Sequence, residues 1–345
     1  MPDLIVAGAG MAGLVAAAHA RRRGATVLLL EKLPRAGGSM RLSSGVVWRH
    51  RRLEDFRAEC PDGDPELQRT VFDRLDADLD WLEALGAPVI ERDTGNPRTA
   101  GRRFDVVGLV AALSRAAGPA RFLSALRELP GDGTAVVLAT GGFAASRAML
   151  ARYVTPEADH VLIRAAPGAT GDGLRLGVEA GATLGPGMEQ VYARLMPAAA
   201  VAPREFVAAA QLYARDAEVV NANGDRFRAR AWSEIDVAQW AAHQHRARVW
   251  MRVADEQLSG RVAEMVAQAE RLGAPVRRTA EGVVVECIAG ITATLGGLRV
   301  DAEARAAPGV HAAGHDAGGI ATGGYASGLA AALVLGRIAA ESALR

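Results

Sequence analysis

Cysteine is nearly absent from this chain. Cys60 and Cys287 stand far apart and outside any CxxC or CxxCH pair, which argues against a redox disulfide, a zinc site and a covalently attached haem. Lysine is scarcer still: Lys32 is the single lysine among 40 basic residues, a bias that resembles GC-rich coding and leaves little room for lysine catalysis. Neither sign of charge prevails. A net charge of +1 gives no electrostatic case for nucleic acid or an anionic membrane surface. No apolar run approaches membrane-spanning length without a glycine or a charge, and no leader is read ahead of the first strand, so a cytoplasmic protein is expected. There is no Ser-His-Asp order, no metal-ligand spacing, no Walker motif and no internal repeat.

Glycine, by contrast, is abundant and placed with a pattern. An apolar strand over 4–7 runs into Gly8-Ala9-Gly10-Met11-Ala12-Gly13, an Ala-rich helix follows, and a second apolar strand over 26–30 ends at Glu31. Gly8 suits the tight turn, Gly10 the close approach of a pyrophosphate, and Gly13 the packing of helix on strand. Phosphates would sit on the helix N-terminus, where unpaired N–H groups and the helix dipole favour negative charge. Glu31 lies 18 residues beyond Gly13, the spacing at which an acid meets a ribose hydroxyl. These pieces, in register, predict a dinucleotide site.

Farther along, Leu67, Val71, Leu75, Leu79, Leu82 and Leu85 predict a helix over 64–86, closed by Gly86 and Pro88. Helices are also expected over 106–117, from Asp172 to Gly181, and over 327–344, with strands over 122–129 and 135–138. Between about 197 and 284 the character changes to scattered Trp, Arg and His with two helical stretches, before glycine returns at 290–328. Arg226, Arg228 and Arg230 alternate as on a strand, and His243, His245 and Arg246 fall on one expected helix as a solvated face. Trp232, Trp240 and Trp250 are expected in the core rather than around a substrate.

Several later motifs occur in a fixed order: Gly37-Gly38-Ser39, Trp81 to Gly86, Ala139-Thr140-Gly141-Gly142-Phe143, Gly171-Asp172-Gly173, Asn223 to Phe227, Gly296-Gly297-Leu298, Gly309 to Gly314, and Leu335-Gly336-Arg337-Ile338-Ala339. Taken together they resemble the fumarate reductase/succinate dehydrogenase flavoprotein family over nearly the whole chain. The resemblance implies an α/β fold, a Rossmann-type, glutathione-reductase-like FAD-binding domain (1–196 and 285–345) interrupted by a small α+β cap (197–284). It implies an extended FAD along Gly8, Gly10, Met11, Ala12, Gly13, Glu31, Lys32, Gly38, Ser39, Ser43, Ser44, Gly45, Leu126, Thr140, Gly141, Gly142, Asp172, Gly314, His315, Asp316, Ser327 and Leu329. Ser39, Ser43, Ser44 and Thr140 are expected to donate to pyrophosphate and ribityl oxygens. His315 would lie near the ribityl chain, and the N–H groups around Leu329 would face the flavin pyrimidine ring.

Departures from the family pattern shape the expected chemistry. Ala293-Thr294-Leu295-Gly296-Gly297 lacks the His that precedes this motif in fumarate reductases, Glu234 falls where the family carries a proton-shuttling Arg, and Thr322 to Ser327 lacks a second carboxylate-binding Arg. These losses argue against fumarate or succinate as substrate. No His stands in the early Gly/Ser segment, so FAD should be held non-covalently. A nearer likeness is to the tricarballylate dehydrogenase branch, carried by Met188 to Leu195 with Arg194 in place of a His. The expected reaction is desaturation or C=C reduction beside a carbonyl or carboxyl group, with Arg194 binding the substrate's oxygen, Tyr325 as donor or acid/base, and Tyr192 beside them. A surface ion pair is the alternative for Arg194, and packing for Tyr325. An oxygen-using flavin oxidase or monooxygenase, or a catalytically degenerate FAD-binding partner subunit, are the other readings. The short cap allows for a covering protein partner; a small-molecule substrate and an electron partner are implied, and no metal.

Overall fold

The computed structural model describes residues 1–345. In chain order the elements are β1 (Leu4–Ala7), α1 (Met11–Arg22), β2 (Val27–Leu30), β3 (Val46–His50), α2 (Leu53–Glu59), α3 (Pro65–Ala84), β4 (Val89–Glu91), β5 (Thr99–Phe104), α4 (Val106–Ala117), β6 (Ala120–Arg121), β7 (Ala135–Leu138), α5 (Arg147–Tyr153) and β8 (Leu162–Ile163). They continue as α6 (Asp172–Glu179), β9 (Val191–Pro197), α7 (Phe206–Ala209), β10 (Glu218–Val220), β11 (Arg226–Phe227), α8 (Ile235–Ala242), β12 (Arg248–Ala254), α9 (Gly260–Arg271), β13 (Val276–Thr279), β14 (Gly282–Thr294), β15 (Arg305–Ala307), β16 (Val310–Ala312) and α10 (Gly328–Ala343). Two compact units result: residues 1–145, 166–188 and 294–345 form the first, and residues 146–165 and 189–293 the second.

The first unit carries a six-stranded sheet in the order β15-β16-β7-β1-β2-β6, parallel except where β15 pairs β16. β1 is buried on both faces, which is why it reads as an unbroken apolar run. Helices α1 and α10 pack together, and α1 also packs on α4. The small side chains of α1 (Ala16, Ala17, Ala18 and Ala20, all buried) let these helices approach closely. A second, antiparallel sheet, β3-β5-β4, belongs to the same unit. In the second unit, β11-β10-β12-β14-β13 form an antiparallel sheet, and β8 and β9 also pair with β14.

Several expectations need correction. The strand expected over 122–129 is only Ala120–Arg121, because Leu123 turns out of it at φ +54° and its N–H goes to the Leu33 carbonyl (3.3 Å). The arginine alternation at 226, 228 and 230 corresponds to a two-residue strand, Arg226–Phe227. His243, His245 and Arg246 do not share a helix: α8 ends at Ala242, and Arg246 sits at φ +55° in the turn that follows. All three are exposed, as a solvated group would be. The three tryptophans at 232, 240 and 250 are half-buried rather than core, and Trp240 stacks on Phe227 at 5.1 Å. The division near 196 and 285 falls differently as well. β9 and β14 pair with each other, so the second unit runs from 189 to 293, and it also takes 146–165.

Candidate functional site

The turn from β1 into α1 is built from backbone that tolerates no side chain at two points. Gly8 has φ +104°, and a Cβ there would strike the Ala139 carbonyl. A Cβ on Gly13 would collide with the Gly8 carbonyl, so the helix start lies directly on the turn. Gly10 is different. It has ordinary extended backbone (φ −77°), and a Cβ there meets no atom within 4 Å. Gly38 comes up beside it, its own Cβ position 3.3 Å from the Gly10 Cα.

Glu31 closes the turn from the side. Its buried carboxylate accepts from the Ala9 N–H (2.7 Å) and the Leu33 N–H (2.8 Å). Helix α1 has no side-chain cap and no acid in its first turn, although Met11, Ala12 and Gly13 are buried. A buried unpaired N–H costs about 1–3 kcal/mol, more than the helix dipole contributes, so such an end calls for an acceptor. An anion supplies one.

The Thr140-Gly141-Gly142 turn is held from inside. The fully buried Asp316 carboxylate accepts from the Thr140 N–H, the Thr140 hydroxyl (3.1 Å) and the Gly142 N–H (2.8 Å), and burial pushes it up against those three bonds. Thr140 Oγ1 in turn accepts from the Gly173 N–H at 2.9 Å. Ser43 donates its hydroxyl to the Met40 carbonyl (2.7 Å). Thr140 and Ser43 therefore have their hydroxyl protons engaged within the protein. Asp316 is likewise a brace. Asp172 pairs with Lys32 at 2.7 Å, and Lys32 also donates to Thr170 Oγ1 (2.6 Å). Ser39 Oγ accepts from the Ala166 N–H at 2.9 Å, which leaves its own proton to give. Ser44 is exposed, Gly45 is buried, and Leu126 and Leu329 are half-buried. Ser327 caps α10 by accepting from the Ala330 N–H (3.3 Å).

Tyr325 belongs to this first unit, and its surroundings carried no sequence signal. Its ring meets Trp48 edge-on at 5.2 Å, its carbonyl lies 3.4 Å from His50 Nε2, and its backbone hydrogen-bonds the buried Cys60 sulfur. Only the contact of Trp48 and His50 on β3 with Tyr325, far apart in sequence, brings these groups together. Tyr192 and Arg194 lie on β9 of the second unit, with the Arg194 guanidinium 4.9 Å from the Tyr192 ring centre and donating to the Ser233 carbonyl. The neighbouring Glu234 is buried at φ +56° and accepts from the Ala214 N–H (3.1 Å) and the Arg215 N–H (3.4 Å). Burial pushes its carboxyl up, while those amides and Arg194 pull it down. Position 234 thus holds a buried acid fixed by backbone amides.

The profile of the FAD-binding domain family matches residues 3–108 and 102–329. The chain belongs to that family. It is 26% identical to the fumarate reductase (cytochrome) of Shewanella frigidimarina over 65% of this chain and 47% of that protein. It is 25% identical to the urocanate reductase of Eggerthella lenta over 65% of this chain and 45% of that protein. Among solved structures, the 3-ketosteroid-Δ4-(5α)-dehydrogenase of Rhodococcus jostii RHA1 superposes with a TM-score of 0.76 at 18% identity, covering all of this chain and 97% of that one. The chain spans about half the length of the curated relatives it matches. No helix is long and apolar enough to cross a membrane.

The first unit of this FAD-binding chain fits the cofactor by its own geometry. The clear side of Gly10 and the buried, uncapped start of α1 suit a pyrophosphate, and Glu31 closes the turn beside them.

Proposed function

We propose that the protein is an FAD-dependent oxidoreductase that desaturates, or reduces, a C–C bond beside a carbonyl or carboxyl group of a small organic molecule. The observation that carries this reading is the α1 start, buried and left without any side-chain acceptor beside a Gly10 that no atom crowds. The relatives support the chemistry, since fumarate reductase and urocanate reductase are both named for reducing an unsaturated acid. FAD bound there would supply the hydride acceptor or donor.

The chain's own residues do the rest in this reading. Helix α1 binds the pyrophosphate charge, and Glu31 orients the ribose. Tyr325, held by Trp48, His50 and Cys60, presents a phenol able to donate to a substrate oxygen or move its proton. Arg194 recognises the carbonyl or carboxylate, its fork steadied by the Ser233 carbonyl and the Tyr192 face. FAD is held without a covalent bond, and a protein partner covering the small second unit belongs to the same proposal.

The test is the visible spectrum of the purified protein, followed by anaerobic reduction and re-oxidation in air. A flavin spectrum released by denaturation, with slow re-oxidation, supports the reading. Recovery within seconds replaces it with an oxidase or monooxygenase, and no flavin after reconstitution overturns it. Arg194→Ala should keep the flavin and lose about 100-fold or more in kcat/KM with whatever conjugated acid or ketone the wild type turns over. Unchanged turnover would remove Arg194 from the site.

A further inference from the structure

His315 occupies a spot that the cofactor reading alone does not explain. It lies in the short 3-10 turn Gly314–Asp316 between β16 and α10. Three segments of the first unit meet at it. The Cβ position of Gly328, first residue of α10, is 2.9 Å from His315 Nε2 and 3.3 Å from Cε1. The Cβ position of Gly142 is 3.0 Å from the His315 carbonyl and 3.1 Å from its Cβ. The adjoining Gly314, at φ +68°, brings its Cβ position within 3.2 Å of the Ala12 methyl in the first turn of α1. The imidazole therefore stands against the start of α10, in a turn seated on the start of α1. Both helix ends present N–H groups and positive dipole ends.

The charged groups around it are few. The first turns of α1 and α10 contain no acid, and the Thr140–Gly142 turn contains no titratable side chain. Asp316, the neighbouring acid, directs its carboxylate to the Thr140 and Gly142 amides. Asp172, beyond it, is paired with Lys32. Desolvation is the only influence resolved on the His315 ring, and it holds the imidazole neutral down to about 4. A neutral imidazole beside the positive end of α10 is the state expected when no anion is near.

We infer that His315 takes up a proton when FAD binds, making the affinity for the cofactor pH-dependent. This uptake rests on the pyrophosphate lying at α1, as in the proposed function. That group brings two negative charges to the turn on which Gly314 sits, and an anion nearby favours imidazolium over imidazole. The step is a simple uptake: one solvent proton adds to a ring nitrogen of His315 as the anionic cofactor enters, and it leaves when the cofactor leaves. Linkage sets the sign. A group whose basicity rises on binding tightens binding as pH falls, by at most about tenfold per pH unit between its two pKa values, and has no effect above the higher one.

The experiment is a titration of the apoprotein with FAD, following flavin fluorescence from pH 8.5 down to pH 5.5, for the wild type and for His315→Gln. The wild-type Kd is expected to fall as pH falls, and that of the variant to stay level. A level wild-type curve, or an equal slope in the variant, overturns the inference while leaving the cofactor site intact. Should the variant fail to fold, calorimetry of the wild type at pH 6 in two buffers of different ionisation heat counts the proton directly. A fractional uptake supports the inference and zero uptake overturns it. If neither protein binds FAD at any pH, the placement of the cofactor falls, and this inference falls with it.

Discussion

Helices α1 and α3 begin in opposite ways. α3 is closed by the chain itself: Asp64 accepts from the Glu66 N–H (2.9 Å) and the Leu67 N–H (3.0 Å), Pro65 occupies the first position, and Glu66 adds an acid to the first turn. α1 has Gly10 in the capping place, no acid and no side-chain acceptor, and its first turn is buried. A capped start is a stability device worth about 1 kcal/mol. A buried start without a cap leaves its N–H groups to water or a ligand, and the proposed pyrophosphate would satisfy them. The same physics thus sets a self-satisfied helix end apart from an open one within one unit.

The comparison can be broken most severely at Gly13. Gly13→Val would drive a branched side chain into the Gly8 carbonyl, costing on the order of 3 kcal/mol or more, and should leave little soluble, cooperatively melting protein. A normal melting curve would show that the turn can yield. Gly10→Val should do the reverse. Its side chain has room in the protein, so circular dichroism should match the wild type, while the space a pyrophosphate needs is filled and the protein should purify colourless. A yellow Gly10→Val protein would end the assignment of α1 to the cofactor. Asp64→Ala removes the α3 cap and should lower stability by about 1 kcal/mol without changing flavin content.

Stability should also depend on pH. Burial lowers His19 and His311 to about 4, so their neutral forms stabilise the fold above the unfolded value near 6.5, and that contribution is lost as pH falls from 6.5 towards 4. Asp78 acts oppositely: burial raises it to about 6, so its contribution is complete below about 4 and lost as pH rises through 6. Melting temperature measured from pH 4 to pH 8 should therefore drop on the acid side, and His311→Gln should reduce that drop. An unchanged acid slope in the variant would assign the effect elsewhere.

Elements governed by neighbours in sequence were legible. The strand over 4–7, the helix over 106–117 and the strand over 135–138 have the bounds that their apolar patterns predict. Where a long-range partner decides, the pattern misleads. The apolar stretch after Arg121 leaves the sheet because Leu123 and Ser124 hydrogen-bond the 31–33 backbone instead. The bonds between Thr140 and Asp316 were not legible, since a hydroxyl's partner depends on what lies opposite it in space.

Residue order alone therefore determined the glycine turn, the periodic helices and the family to which the chain belongs, because each rests on local backbone geometry or on motifs read along the chain. The tertiary structure decided which polar groups are engaged. Asp316 reaches Thr140 across 176 positions, His50 meets Tyr325 across 275, and Glu31 reaches Ala9 across 22. A hydrogen bond requires its two atoms within about 3 Å, and no spacing along a chain specifies that distance until the chain has folded.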